Sequence, residues 1–502
     1  MKDKKLVVQL SFLFLMFLVL SACNSSGDVS SENNTGEGDE RYEITVMVPL
    51  HTAEVPNDRI EKEMEKATGV DLTISWIPAS TYDERVNTAF ATDTLPHVLP
   101  IGQGTFVQFK DAIQDDQFWE IGPYLDEFEN LSKLNEDILA NQLVDDKLYS
   151  IYMGRPRSRA GIIYRKDWAD NLGLSAPTNT DELYEMIRAF TEEDPNGTGS
   201  NDTLGLVDRT TLTGGSFKTV SSWFGTPNKW GEKDGELLPE FMFPEYKETL
   251  EYLRKIHSNG YVNQDFPVTS KNDQVGMMVN GTGGVYVGTM GDVQSMYNDA
   301  KNLNPDVEFD VHNYIEGPNG EYGVFSNPGF GSLVLFPKSA IETEDELKKV
   351  LSFFDYLMTP EGANLIIWGE EGEHYEVIDG KASVTEEYEN LHDIEVKPYS
   401  SFEIGEAATN DRYEGFYSYE PRAKAEELYI DNDQYLIEDP TFTLTSDTYL
   451  RDGGRLDGII EDATYNFIIG QIDESGFDAE VERWKNEGGD KVIAEYNEAY
   501  QQ

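Results

Sequence analysis

Between Tyr42 and Trp76 the apolar residues change period twice. Tyr42, Ile44, Val46 and Val48 alternate, as in a strand with one buried face. Ile60, Met64 and Ala67 then recur at helical spacing behind Asn57 and Asp58, both good N-cap types, and Gly69 ends the run. Val70, Leu72, Ile74 and Trp76 alternate again. A strand, a helix and a strand at this spacing form a βαβ unit, and its crossover makes the two strands parallel. Helical and strand signals go on alternating without a repeat or a long linker, so the fold class is α/β.

Further helices follow the same logic. Thr180 caps one that carries Leu183, Ile187 and Phe190 on one side. Leu347, Val350, Leu351, Phe354 and Leu357 mark a second, and Thr359-Pro360 opens a third that Gly369 ends. Ile459, Ile460, Ala463, Phe467 and Ile468 mark a long last one. These stripes are read as core and given no chemistry.

Cys23 is the only cysteine in 502 residues. Lys2, Lys4 and Lys5 precede an apolar run, Leu6 to Leu20, that is broken only by Gln9 and Ser11. The run is short for a transmembrane helix, which needs roughly 20 residues, and has the three-part form of a secretory signal. Leu20-Ser21-Ala22-Cys23 looks like a bacterial lipobox, in which the chain is cut before the cysteine and the thiol takes a diacylglycerol. Residues 1–22 are therefore expected to be a signal peptide. Residues 23–40 are a lipidated Cys23 and a disordered spacer, because Asn24 to Glu40 holds no aromatic residue and cannot bury apolar surface. The expected location is extracytoplasmic, with the lipid on the outer face of the membrane of a Gram-positive type of cell.

A net charge of −55, from 94 acids against 39 Lys and Arg, is spread along the chain. It argues against nucleic acid, whose phosphates need a basic face, and against docking on anionic lipid. It suits a solvated surface in a saline or alkaline habitat.

Asp194 to Gly205 reads DPNGTGSNDTLG. Asp194, Asn196, Thr198, Ser200 and Asp202 fall at positions 1, 3, 5, 7 and 9 of an EF-hand-like loop, with Gly197 and Gly199 to bend it. Alternating oxygen donors in such a loop surround Ca²⁺, Ser200 through its carbonyl. Position 12, a bidentate Glu in the strict motif, holds Gly205, so affinity should be modest and the ion structural. The alternative is a plain Asn/Gly-rich turn.

Four stretches carry a family likeness: Tyr164 to Leu206, Pro244 to Phe266, VGMMVNGTGGVYVG at 275–288 and MTPEGANLIIWGEEGEHY at 358–375. Together they resemble the family 1 extracellular solute-binding lipoproteins of ABC-type saccharide importers, above all the branch that takes up alginate and pectin fragments. The resemblance implies a two-lobed periplasmic-binding-protein-like fold of type II, each lobe a mainly parallel sheet flanked by helices. It places 41–155 plus 328–370 in the N-lobe and 156–327 plus 371–502 in the C-lobe. Hinge crossings are expected near Met153 to Gly161, Glu316 to Pro328 and Gly369 to Glu373. An oligosaccharide would be held between the lobes by hinge closure, and the permease subunits would recognise the closed monomer. The family's calcium loop matches Asp194, Asn196, Thr198, Ser200 and Asp202, although Thr203 stands where some relatives have Glu. His97, in TLPHVLP, stands where relatives place Asp, at a position expected to face the cleft.

Sugars present apolar C–H faces and hydroxyl rims, so aromatic residues in loops are candidate platforms. These are Trp76, at the end of a strand; Trp223 and Trp230, which bracket FGTPNK; Tyr286 with Asp292 beyond it; and Trp368 and Tyr375 around GEEGEH. Each could equally be core, where Trp119 and Trp168 are placed. Arg155, Arg157 and Arg159 in GRPRSRAG stand together at the first crossing. A guanidinium fork fits a carboxylate, so Arg157 and Arg159 are candidates for holding uronic acids; the alternative is that they neutralise neighbouring Asp and Glu.

Three rival functions stand beside this one. A secreted glycosidase needs paired carboxylates, which are expected by chance among 94 acids; the six His lack metal spacing and there is no G-x-S-x-G. A cell-wall or adhesion lipoprotein would bind no small ligand. A peptide-binding transport lipoprotein would keep the importer and change the ligand. The expectation is a binding protein and no enzyme.

Overall fold

The computed structural model describes residues 41–501 other than Ala53. The signal peptide, Cys23 and the spacer lie outside the described residues. No helix among the described residues is long and apolar enough to cross a membrane.

The βαβ unit forms as its periods dictate. β1 (Tyr42–Leu50) and β2 (Val70–Pro78) pair in parallel, from Tyr42 opposite Val70 to Leu50 opposite Pro78. The Arg59–Thr68 helix between them buries Ile60 and Met64, while Ala67 is exposed. Gly69 adopts φ +72° and donates its N–H to Glu65 O, the left-handed cap that glycine supplies without a Cβ penalty. β3 (Leu99–Ile101) lies parallel beside β1 through the Val46–Val98 bridge. The Phe330–Leu335 strand runs antiparallel between β3 and β4 (Ser150–Gly154).

A second sheet holds β5 (Ala160–Arg165) between the Phe309–His312 and Gly283–Thr289 strands, both antiparallel to it. β6 (Leu204–Val207) closes it, parallel to Gly283–Thr289. The strands of each sheet thus share one direction except Phe330–Leu335 in the first and β5 in the second, so each sheet is mainly parallel in direction but mixed in its pairings. The reason is topological. β1 to β4 and the Gly283–Thr289 strand run toward the crossings, whereas β5 and Phe330–Leu335 begin at them, and a strand that starts where its neighbours end must oppose them.

Separate hydrophobic cores form around the two sheets. Ile44 to Tyr152 with Phe330 to Ile404 supply the first. The second sheet is packed by residues between Ala160 and Val324 together with Ala425, Tyr429 and Leu456 to Tyr496. The expected N-lobe boundary at 370 is corrected by Val396, Tyr399, Phe402 and Ile404, which are buried in the first core. The helices read from sequence are present. Asn179, not Thr180, caps Thr180–Glu192, accepting from Glu182 N, and Thr180 is buried in its first turn. Thr343 and Glu346 form a reciprocal capping box on Glu344–Leu357.

Candidate ligand-binding site

The chain leaves the first core at Gly154 and enters the second at Ala160. It returns beside itself: Arg155 N donates to Gly329 O (2.9 Å) and Asn327 N to Arg157 O (2.6 Å). A third passage follows Ile404. Gly405 N donates to Tyr152 O (2.8 Å) and accepts at its own carbonyl from Gly154 N (3.0 Å). A Cβ on Gly154 would stand 2.5 Å from Gly405 O, so the close approach requires glycine at 154. The first two crossings fall where the sequence put them. The third does not: Gly369 packs on Val396 and His374, and Arg59 pairs with Glu370 and Glu373, all within the first lobe.

The register of the sheets gathers one edge of each lobe at this junction. β1, β2 and β3 run parallel and β3 opposes a strand that starts at Phe330, so their C-terminal ends share an edge with Gly154. Across the junction stand the start of β5, the ends of β6 and Gly283–Thr289, and the residues after them. Ligands of open α/β sheets sit outside such strand ends.

On the second lobe, Met290 N donates to Arg159 O (3.0 Å) and Gly291 N to the Tyr429 hydroxyl (2.5 Å). Arg159 is exposed and has no ion pair among the described residues. Arg422 approaches from the third passage, its guanidinium 4.1 Å from the Tyr417 ring centroid, donating through Nη2 to Tyr417 Oη (3.1 Å) and paired with Glu426. A Cβ on Gly291 would be 3.6 Å from Arg422 Cζ, so Arg159, Gly291, Arg422 and Tyr417 are neighbours. Asp292 accepts from Tyr286 Oη (2.8 Å) and pairs with Lys271 (2.9 Å). At the end of β6, Asp208 accepts from Ser216 N (2.9 Å), Ser216 Oγ and Arg209 N (2.8 Å), while complete burial pushes its carboxyl up. Arg209 donates to Gly214 O.

On the first lobe, Trp76 is half-buried at the end of β2, edge-on to Tyr399 at 5.3 Å. Arg155 is exposed above Gly331. Behind it, burial pushes the Glu403 and Glu406 carboxyls up; Glu403 pairs with Arg412 (2.6 Å) and Glu406 accepts from Tyr152 Oη (2.9 Å).

The sequence candidates therefore divide. Trp76, Arg159 and Asp292 stand at the junction. Arg157 is half-buried and committed to Glu438, with Asp137 at 4.0 Å, so it ties structure together. Tyr286 is 1% exposed and serves as core and as a prop for Asp292; burial pushes its hydroxyl well up. Trp368 donates to Tyr413 O (3.0 Å), and the buried Tyr375 ring lies 6.3 Å from Tyr413; both brace the third passage. Trp223 and Trp230 are buried and line a 570 Å³ groove in the second lobe. His97 does not face the junction. It sits before β3, at the opposite edge, where Nδ1 accepts from Thr45 N (3.1 Å) and burial holds its pKa below the usual range. Tyr417 and Arg422 escaped the sequence reading; the nearest signal was a cluster of Tyr residues, Tyr413, Tyr417 and Tyr419, before a helix.

The acidic loop follows the Thr180–Glu192 helix. Asp194 (φ +49°) accepts from Thr198 N (3.0 Å) and Gly199 N (2.9 Å). Asp202 accepts from Asn196 Nδ2 (3.0 Å) and Thr198 Oγ1 (3.2 Å). Asn196 and Thr198 thus bond to the Asp194 and Asp202 carboxylates, while Ser200 is exposed and outside this network. Thr203 turns inward and donates to Phe190 O (2.7 Å). A Cβ at Gly205 would run into the Ile187 carbonyl, so no acidic side chain can stand at position 12. Among the described residues there is no cluster of three or more His, Cys, Asp or Glu placed to hold a metal.

Two lobes joined by paired crossings, with a polar site at facing strand ends, define a solute-binding protein. The chain belongs to the bacterial extracellular solute-binding protein family, whose model matches residues 55–364. It is 38% identical to the polygalacturonan/rhamnogalacturonan-binding protein YtcQ of Bacillus subtilis (strain 168), over 96% of each chain. It is 34% identical to Lipoprotein LipO of the same organism, over 97% of this chain and 98% of that one. An extracellular solute-binding protein from Bifidobacterium longum subsp. infantis shares the fold, with TM-score 0.72 at 15% identity over 92% of this chain and 99% of that one.

Proposed function

We propose that this protein captures an oligosaccharide carrying uronic acids between its lobes and hands it to an ABC-type importer. The observation that carries the reading is Arg159: an exposed guanidinium with no ion pair among the described residues, at the strand edge, in a chain with a net charge of −55. A cation left unpaired among so many acids is matched by an anionic ligand, and its fork fits a carboxylate. Tyr417 offers a ring beside it, Trp76 another from the opposite lobe. A ligand that touches both lobes stabilises the closed form, which the permease subunits read. The YtcQ relative, named for binding polygalacturonan and rhamnogalacturonan, supports the same substrate class.

The rest of the reading completes the molecule. Cys23 carries the lipid that moors the chain, as a monomer, to the outer face of a Gram-positive membrane. Asp194, Asn196, Thr198, Ser200 and Asp202 hold a structural Ca²⁺, supported by a glycine-bent loop in which the side chains of Asn196 and Thr198 hydrogen-bond to Asp202 and Asp194 accepts from Thr198 N. The protein binds its sugar and does not cleave it.

Calorimetric titration with trigalacturonate and with a neutral galactotriose tests the substrate class. Binding of the acidic trimer alone is expected, and X-ray scattering should show a smaller radius of gyration on binding. Equal affinity for both trimers, or turnover of either, overturns the proposal.

A further inference from the structure

The 570 Å³ groove lies on the second lobe beside the second crossing, whose Asn319, Glu321, Tyr322 and Gly323 line it, and not at the strand edge that carries Arg159. The Ser216–Trp223 helix starts at Asp208, on the strand edge, and its eight residues carry the chain roughly 10 Å off before Trp223 reaches the groove. The volume is that of a small-molecule site, for which roughly 300–1,000 Å³ is usual. The half-buried Tyr435 ring forms its aromatic wall, with the buried Trp223 and Trp230 behind, and Glu232, Glu321 and Glu438 give it its charges; among the described residues no Lys or Arg lines it. Glu438 is taken up by Arg157 and Ser326, and Glu232 accepts from Tyr500 Oη (3.1 Å), but Glu321 is exposed and has no bond through its carboxylate among the described residues. The Trp223 indole, buried in this lining, faces the Tyr322 hydroxyl.

We infer that this groove is a second sugar site, distinct from the one at the strand edge and selective for an uncharged sugar ring. Aromatic walls match C–H faces, and carboxylates accept from hydroxyls with the strength of charged hydrogen bonds. The same carboxylates repel a uronate, since like charges a few ångströms apart oppose each other even at high effective dielectric. The junction, where Arg159 and Arg422 stand, has the opposite preference. Pro440 of the lining stands two residues before Phe442, whose ring lies 6.1 Å from Phe330 of the first lobe, so an occupied groove adjoins the hinge.

The test is a titration of the full protein at pH 7 with a panel of neutral mono- and disaccharides and with galacturonate, followed by tryptophan fluorescence. At least one neutral sugar should saturate a site in wild type and in Arg159→Ala alike, while galacturonate should not reach that site. Tyr435→Ala should weaken the neutral sugar at least fivefold; Glu321→Ala, an exposed change that leaves the core intact, should weaken it about threefold. The inference falls if no neutral sugar saturates, if both groove variants bind as wild type, or if Arg159→Ala abolishes neutral-sugar binding. The last result would put that sugar at the junction, and it would leave the uronate reading to be judged by trigalacturonate alone.

Discussion

Arg422 lies across the face of Tyr417, 4.1 Å from guanidinium carbon to ring centroid, and donates to the same residue's hydroxyl. The stack fixes a cation beside Gly291 without neutralising it through the ring, and among the described residues only Glu426 shares its charge. Arg159 has no such partner among them. The two arginines therefore differ in what their removal should do.

Arg159→Ala should lower affinity for an acidic oligosaccharide by roughly tenfold to a hundredfold, the size of a lost charged hydrogen bond, with little change in melting temperature. Arg157→Ala should do the reverse: a lower melting temperature from the lost link to Glu438 and a smaller change in affinity. Calorimetry and thermal melting on both variants check the pair of outcomes.

Gly154→Ala places a methyl 2.5 Å from the Gly405 carbonyl. Backbone must shift where two passages between the lobes touch. A loss of about 1–3 kcal/mol is expected, as for other overpacked sites, read as a lower midpoint in urea. An unchanged midpoint would show that the passages separate easily.

Removing Ca²⁺ with EDTA should lower the melting temperature, and adding it back should restore it. Asp194→Ala should make the melting temperature indifferent to both, because it removes the carboxylate that also accepts from Thr198 N and Gly199 N.

Glu406 offers a pH test. Burial raises its carboxyl above the ordinary 4.5, so the folded state holds the proton more tightly than the unfolded state. The resulting stability is complete below about pH 4.5 and is lost as pH rises through the folded value. Glu406→Gln mimics the protonated form and still accepts from Tyr152. Its melting temperature relative to wild type should therefore rise between pH 4 and pH 7. A flat difference would mean that Glu406 is better solvated than its packing against Tyr152 implies.

Local pattern made much of the fold legible. The alternation at Tyr42–Val48 and Val70–Trp76 specified two strands and their parallel pairing, because a two-residue period leaves one choice of buried face. Glycines at Asp194–Gly205 and the cap at Thr359-Pro360 were readable for the same reason: they act on residues a few positions away. The aromatic candidates were harder. Trp223 and Trp76 look alike in sequence, yet one is 1% exposed and the other half-open at an edge, since exposure depends on which distant segment packs on top.

Sequence by itself determined the α/β class, the strand-ending Trp76, the arginine cluster at the first crossing and the spacing of the acidic loop, all set by neighbours along the chain. Tertiary structure alone decided that Arg157 is spent on Glu438 while Arg159 has no ion pair among the described residues, that Tyr417 and Arg422 join it, that Val396 to Ile404 packs into the first core, and that each sheet holds one opposed strand. The physical reason is the chain's repeated passage between lobes. Each return brings together residues hundreds of positions apart and reverses strand direction, and no local period encodes where a chain comes back.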